Sequence, residues 1–181
     1  MAGYPDGNAR MSGAGWRIAG WGSAALLLLL PAIAMQFGDE VRWNAFDFAF
    51  GAALIVGVGV AFELVVRLSR NTAYRAGAAV ALANAFLMTW ANAAVGIIGS
   101  ERDPINTMFT GIVVLALVAA TIARFRAQSM AIVTAAVACA QFVAGAIGLT
   151  QDVRGAVLSS FFIVLWLASA ALFRSAARTS S

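Results

Sequence analysis

Residues 18–37 of this chain read IAGWGSAALLLLLPAIAMQF, and apolar stretches of this kind decide its fold. None of the side chains in this stretch carries a charge, and leucine fills positions 26–30. A helix rises about 1.5 Å per residue, so about 20 apolar residues cross the roughly 30 Å hydrocarbon core of a bilayer. The stretch therefore predicts a transmembrane helix.

Five more apolar stretches of similar length follow along the chain. They cover residues 48–66, 76–98, 104–123, 130–149 and 156–173. Hydrophobic side chains make up 62% of the 181 residues and charged ones 11%, which excludes both a soluble globular domain and a disordered chain. We expect an all-α integral membrane bundle of six transmembrane helices over residues 18–173, with residues 1–17 and 174–181 as tails.

Polar residues mark where several of these helices begin. Asn44 with Asp47 three residues later resembles a capping box ahead of the second stretch. Asp103 before Pro104 predicts an N-cap followed by proline at the first helical position of the fourth helix. Asp152 is in the right place to cap the sixth helix.

The arginines predict the orientation of the helices in the membrane. Nine of the twelve fall on one side of the six expected spans: Arg10, Arg17, Arg67, Arg70, Arg75, Arg124, Arg126, Arg174 and Arg178. The other side holds Arg42, Arg102 and Arg154, together with six of the eight acidic residues. Arginine-rich loops stay in the cytoplasm, so we expect a multi-pass membrane protein with both termini cytoplasmic.

An alternative interpretation makes the N-terminal region a cleaved signal peptide ending at Ala32-Ile33-Ala34. The apolar stretch is long for the core of such a peptide, which has about 7–15 residues. The charge pattern also uses Arg10 and Arg17 as part of a cytoplasmic terminus. We therefore favour a membrane-spanning first helix.

The composition argues against most enzyme chemistry. The chain has no histidine or lysine, and its single cysteine is Cys139. The usual general base, the commonest metal ligand and Schiff-base chemistry are therefore absent, and no disulfide can form within the chain. We predict a non-enzymatic protein without catalytic residues, metal or cofactor. The net charge of +4 comes from arginines set between apolar stretches, so nucleic acid is not an expected partner.

A few polar residues interrupt the apolar stretches. Asn84 and Asn92 are eight residues apart in the third helix, and Gln141 lies midway along the fifth. Such amides should point inward, either to bond between helices or to form a polar patch of the kind that lines a transport route. Glu63 belongs to the same candidate patch, although an ion pair with Arg67 one turn later is the simpler account.

Small residues at four-residue spacing suggest contacts between helices. Ala53, Gly57 and Ala61 form such a stripe in the second helix. The first functional hypothesis is therefore a small membrane protein that forms a homo-oligomer or joins a larger membrane complex, with the lipid bilayer as its environment. The alternative is a small transporter or channel using the candidate polar patch.

Residues 92–101, NAAVGIIGSE, followed by Arg102-Asp103-Pro104, resemble a family of small uncharacterised bacterial multi-spanning inner-membrane proteins. The shared motif is N-x-A-V-G-I-I-G-S-E, and the resemblance implies an inner-membrane location without assigning an activity. Arg102 departs from the acidic or amide residue expected at its position. Asn92, Gly96 and Ser100 would form one helical stripe leading to Glu101, either as a periplasmic binding stripe or as part of a capped turn.

Overall fold

The structure is a computed structural model that describes residues 8–38 and 42–179. Its six helices are α1 Asn8–Ala34, α2 Ala45–Leu68, α3 Thr72–Ala94, α4 Asn106–Ile122, α5 Ala127–Gly148 and α6 Val153–Arg178. The described residues contain no strand. Asp39 and Glu40 of the charge pattern lie outside the described residues, as do residues 1–7 of the predicted N-terminal tail. The expected all-α architecture of six helices is confirmed.

Five of the six helices are long and apolar enough to cross a membrane: α1, α2, α3, α5 and α6. The sixth, α4, has 17 residues and is about 25 Å long, at the lower limit for a span. It begins at Asn106, so the predicted N-cap at Asp103 is wrong. The Asp103 carboxylate instead accepts from the backbone N–H of Ser100, 2.6 Å away, and from the Ser100 hydroxyl at 3.0 Å.

Other helix ends also differ from the predicted bounds. α3 ends at Ala94, four residues before the predicted end, because Gly96 and Gly99 adopt φ values of +78° and +67° that break the helix. α1 begins at Asn8 and α6 continues to Arg178, so much of each predicted tail is helical. Alanine and arginine are strong helix formers, which explains why the end of α6 continues the helix.

Two of the predicted caps are confirmed. The Asn44 side-chain oxygen accepts from the backbone N–H of Phe46 at 2.7 Å and of Asp47 at 3.2 Å. In return, the Asp47 carboxylate accepts from the Asn44 backbone N–H at 2.8 Å, which completes the capping box. At the start of α6, the Asp152 carboxylate accepts from the backbone N–H of Arg154 at 3.0 Å.

The chain divides into two compact units, residues 1–59 and 60–181. In the first, α1 packs antiparallel against the first part of α2 through two glycines. A methyl group at Gly59 would lie 3.0 Å from the Trp21 ring, and one at Gly51 would lie 3.3 Å from both Leu28 and Trp43. Helices α1 and α2 can approach this closely because glycine has no side chain at these two positions.

In the second unit, α6 packs against both α3 and α5, while α4 packs against α5 and α3. Two hydrogen bonds set the register of α3 against α6. The Asn84 side-chain N–H donates to the Phe162 carbonyl at 3.0 Å, and the Ser169 hydroxyl donates to the Gly77 carbonyl at 2.8 Å. Both helices advance seven residues between these bonds, in opposite directions, so they run antiparallel.

The two ends of this second unit differ in charge. One end contains the α2–α3 and α4–α5 connections with the end of α6, linked by a 2.9 Å bond from the Asn71 side chain to Thr179. Seven arginines lie there: Arg67, Arg70, Arg75, Arg124, Arg126, Arg174 and Arg178. The opposite end, formed by the α3–α4 and α5–α6 connections, holds Arg102 and Arg154. The alternation of arginines expected from the sequence is thus present across α3 to α6.

Candidate functional site

Asn84 is completely buried near the middle of α3. Its amide N–H bonds to α6, as described above, but its side-chain oxygen has no hydrogen-bond partner among the described residues. A buried amide oxygen without a partner is costly in an apolar environment. Asn84 therefore both fixes α3 to α6 and leaves one acceptor unused.

Gln141 is also completely buried, and neither atom of its amide has a partner within the described residues. α5 and α6 form an antiparallel hairpin in which a methyl group at Gly145 would lie 2.8 Å from the Ser159 hydroxyl. One turn along from this contact, Gln141 is level with residues 162–163 of α6. Asn84 bonds to Phe162, so both amides lie at the height of the same turn of α6.

Trp166 adds a third buried polar group one turn further along α6. Its side chain is 2% exposed, and its indole N–H has no partner among the described residues. Residues Asn84, Gln141 and Trp166 thus place four unpartnered polar atoms in the interior of α3, α5 and α6. We call this set the buried polar cluster. Sequence reasoning missed Trp166, although an indole in the middle of an apolar span is a visible signal.

Asn92 lies in a different interface, between α3 and α4. Its amide N–H group donates to the Asn106 carbonyl and to the Thr110 hydroxyl, both at 3.0 Å. Glu63 forms the expected ion pair with Arg67, with an N–O distance of 2.9 Å. The structure therefore brings Asn84 and Gln141 to one level but places Asn92 and Glu63 elsewhere.

The α3–α4 connection is held by Asn106, a residue that sequence reasoning did not single out. Its side-chain oxygen accepts from the backbone N–H groups of Ile97 at 3.0 Å and Ile98 at 3.1 Å. Its amide group donates to the carbonyls of Ile98 at 2.9 Å and Ser100 at 2.7 Å. These four bonds use the full capacity of an amide side chain. The signal in the sequence was a pair of glycines, Gly96 and Gly99, inside an apolar run.

The expected stripe over Asn92, Gly96, Ser100 and Glu101 is not a continuous helix face, because α3 ends before Gly96. Ser100 is bonded to Asp103, as described above. The Glu101 carboxylate lies 3.5 Å from Arg102, in an exposed pair. These polar groups of the connection therefore bond mainly to one another.

Asp152 ties this connection to the start of α6. Its carboxylate accepts from the backbone N–H of Gly99 at 3.1 Å, across 53 residues of chain. Hydrogen bonds from the backbone amides of Gly155 and Gly99 hold the pKa of the Asp152 carboxyl below its ordinary value. The negatively charged form is thus the one that fits this end of the bundle.

An apolar cavity of about 660 Å³ lies within residues 60–181, between the end of α2 and α4, and residues of α3 also line it. Its walls include Ala61, Leu64, Ala81, Ala116 and Leu117, and its inner surface includes the buried Trp166. Neither Asn84, Asn92, Gln141 nor Glu63 lines it. The cavity is therefore distinct from the predicted polar patch.

The arginine-rich end of the cavity is shaped by the α4–α5 connection. Arg124 and Phe125 line the cavity there and adopt φ values of +53° and +55°. Such values cost about 1–3 kcal/mol per residue for side chains other than glycine. The Tyr74 hydroxyl of α3 donates to the Phe125 carbonyl at 2.6 Å, which holds the strained turn in place.

Among the described residues, no group of three or more histidine, cysteine or acidic side chains is placed to bind a metal ion. No protein-family model, curated protein or solved structure matches the chain. The functional argument therefore rests on the geometry of the buried polar cluster, the cavity and the exposed helix faces.

Proposed function

We propose that this protein is a non-enzymatic membrane protein that works as part of a homo-oligomer or a larger membrane complex. The observation that carries the proposal is an exposed face of small residues on α2. Ala49, Ala53 and Gly57 follow at four-residue spacing, and all three are exposed. A methyl group at Gly57 would meet nothing within 4 Å.

This face is suited to close contact with another helix. In lipid, burying apolar surface gives no driving force, so helices associate where small residues let their backbones approach. Elsewhere in the first unit, Gly51 and Gly59 are already covered by side chains from within the unit. Gly57 and its small neighbours form a similar surface with no cover within residues 1–59, which supports a role in helix association.

Cysteine crosslinking in native membranes tests this proposal. The natural cysteine is first removed as Cys139→Ser, and Gly57→Cys is then introduced. We expect a disulfide-linked homodimer, or a linked heteromer identifiable by mass spectrometry. Val118→Cys is the matched control, because Val118 is an exposed α4 residue, 51% accessible, on a face without this stripe.

A second variant distinguishes specific contact from random collision. Gly57→Leu fills the open face and should abolish association while leaving the monomer folded. Equal crosslinking from Gly57→Cys and Val118→Cys would contradict the proposal. So would association that persists unchanged in Gly57→Leu.

We propose that the chain lies in the bacterial inner membrane with its arginine-rich end facing the cytoplasm. The excess of arginines at one end of α3–α6 and the motif resemblance of residues 92–101 support this placement. Fusions of a periplasm-active phosphatase and of a cytoplasm-fluorescent protein after Arg178 test it. Fluorescence without phosphatase activity is the expected result, and the reverse would refute the orientation.

A second candidate function is passage or binding of a small polar molecule at the buried polar cluster. The specific observation in its favour is the set of four unpartnered polar atoms on Asn84, Gln141 and Trp166. Groups of this kind in a membrane interior commonly mark functional sites. Asn92 does not extend this cluster into a longer route, because its amide N–H group bonds within the α3–α4 interface. Its side-chain oxygen is also buried without a partner among the described residues.

Permeability measurements on reconstituted vesicles test this second candidate. Gln141→Leu removes two unpartnered atoms at similar volume, so a purely structural role predicts a fold that is equally or more stable. A functional role predicts loss of water or glycerol permeability in the same variant. Phe142→Leu is the control, because Phe142 is the next residue and is 64% exposed.

A further inference from the structure

The apolar cavity within residues 60–181 has the depth of one membrane leaflet. Along α3 it extends from Tyr74 to Ala85, which is eleven residues or about 16 Å. The hydrocarbon core of a bilayer is roughly 30 Å thick, so this distance is about half of it. A cavity that begins at the arginine-rich end therefore reaches approximately to the bilayer midplane.

The cavity is open to its surroundings along one side. Leu64 on α2 and Leu117 on α4 line it and are 50% and 58% exposed. Behind them, Ala81 and Ala116 leave the space that larger side chains would fill. A flexible apolar chain can enter such an opening from within the membrane.

The charged end of the cavity has one cationic group. Arg124 is the single charged residue among those that line it. Two other arginines at this end have partners: Arg67 pairs with Glu63, and Arg75 donates to the carbonyls of Ser69 and Val66. The Arg124 side chain has neither a hydrogen bond nor an ion pair among the described residues, so its charge is available to a ligand.

From this arrangement we infer that the cavity binds an anionic phospholipid, with one acyl chain along α3 and the phosphate on Arg124. Lipid tails gain no hydrophobic energy by moving from bilayer to protein, so the selectivity must come from the headgroup. Basic pockets between transmembrane helices bind anionic headgroups in this way. The strained turn at Arg124 and Phe125 is held by the Tyr74 hydroxyl, and Arg124 is part of the cavity lining at the arginine-rich end.

A membrane-spanning helix from a second copy or another protein fits the cavity less well. Such a helix needs about 20 residues and the full bilayer thickness, whereas the cavity covers about half of that. Ala61 of the α2 stripe also lines the cavity, so the variants that test the lipid site are placed at Arg124 and Ala116, which lie outside that stripe.

Native mass spectrometry of the purified full-length chain tests the inference. The delipidated protein in detergent is titrated with phosphatidylglycerol and with phosphatidylcholine of the same acyl chains. We expect tighter binding of phosphatidylglycerol, and a roughly fivefold loss of that binding in Arg124→Gln. Arg126→Gln is the matched control, because it removes an equal charge from the same connection and does not line the cavity.

A second pair of variants tests the acyl-chain part of the site. Ala116→Phe fills the cavity and should reduce binding of both lipids, whereas Leu115→Phe adds bulk at an exposed neighbouring position, 52% accessible, and should not. Thermal unfolding of each variant establishes that it is folded. Equal losses in Arg124→Gln and Arg126→Gln would reduce the effect to general surface charge and overturn the inference.

Two other outcomes would also overturn it. One is unchanged lipid binding in Ala116→Phe, which would mean that the acyl chain of the lipid does not enter the cavity. The other is a protein–protein crosslink from Ala116→Cys in a Cys139→Ser background, which would show that another polypeptide fills the space. Selective loss in Arg124→Gln together with loss in Ala116→Phe is the result that supports the lipid site.

Discussion

Replacing Asn106 with alanine should destabilise the α3–α4 connection more than any exposed polar substitution at the same end. The change removes four hydrogen bonds, which involve Ile97, Ile98 and Ser100. Ile98 is completely buried and Ile97 is 8% exposed, so water cannot easily replace these bonds.

The magnitude follows from the groups left without partners. Two backbone N–H groups and the Ile98 carbonyl become unpaired in buried surroundings, at about 1–3 kcal/mol each. Local relaxation of the connection reduces the sum, so we expect a total loss of about 3–5 kcal/mol. Asn106→Asp keeps the acceptor but sets a carboxylate oxygen against the Ile98 and Ser100 carbonyls in a buried position, so it should lose at least as much stability.

Two measurements check this prediction in detergent micelles or vesicles. Equilibrium unfolding gives the change in stability, and hydrogen exchange reports the protection of the amides of Ile97 and Ile98. Both amides should exchange quickly in Asn106→Ala. Gln151→Ala is the control, because it truncates an exposed amide side chain at the same end of the bundle. Stability within about 0.5 kcal/mol of the parent, with unchanged exchange, would refute the reasoning.

Three further predictions concern charge and packing. Glu63→Gln should change stability by less than about 1 kcal/mol, since the Arg67 partner is 64% exposed; loss of the folded protein from membranes would contradict a peripheral ion pair. The pKa of the Asp152 carboxyl is lowered in the folded protein. Its contribution to the free energy of unfolding is therefore full above the ordinary pKa of about 3.9 and is lost as the pH falls through the pKa of the folded state. Thermal unfolding between about pH 7 and about pH 3 should therefore show an acid-sensitive component that Asp152→Asn lacks, and identical pH profiles would count against it. A Cβ at residue 145 would lie 2.8 Å from the Ser159 hydroxyl, so Gly145→Val should destabilise the α5–α6 hairpin by about 1–3 kcal/mol, whereas Gly111→Val, at an open position of α4, should cost less than half as much.

The sequence predicted the helical architecture well because the bilayer imposes a simple requirement. Each span must be apolar over about 20 residues, so composition alone located all six helices. The cap at Asp152 and the capping box of Asn44 with Asp47 were also predictable, since both depend on short spacings.

The end of α3 was not predicted because its signals conflict. Residues 95–98 are almost wholly apolar and extend a hydrophobic window, yet Gly96 adopts a backbone conformation that stops the helix. The α3–α4 connection then buries Ile97 and Ile98 under an amide supplied from α4. Hydrophobicity cannot distinguish a buried loop from a helix when tertiary contacts supply the missing hydrogen bonds.

The candidate site was only partly predictable for a related reason. That Asn84 and Gln141 would face inward followed from the cost of exposing amides to lipid. Which interface each amide occupies depends on helix rotation and pairing, and these separate Asn92 from the other two. The cavity had no sequence signal, because it arises from space left between helices by small side chains such as Ala81 and Ala116.

The two hydrogen bonds between α3 and α6 oppose translation of one helix along the axis of the other. Any ratchet of α6 by one turn would detach Asn84 from Phe162 and Ser169 from Gly77 together. A conformational change in residues 60–181 that keeps both bonds would therefore rotate or bend the other helices around the α3–α6 pair. α3 and α6 would then keep their positions relative to each other while the other helices of residues 60–181 move.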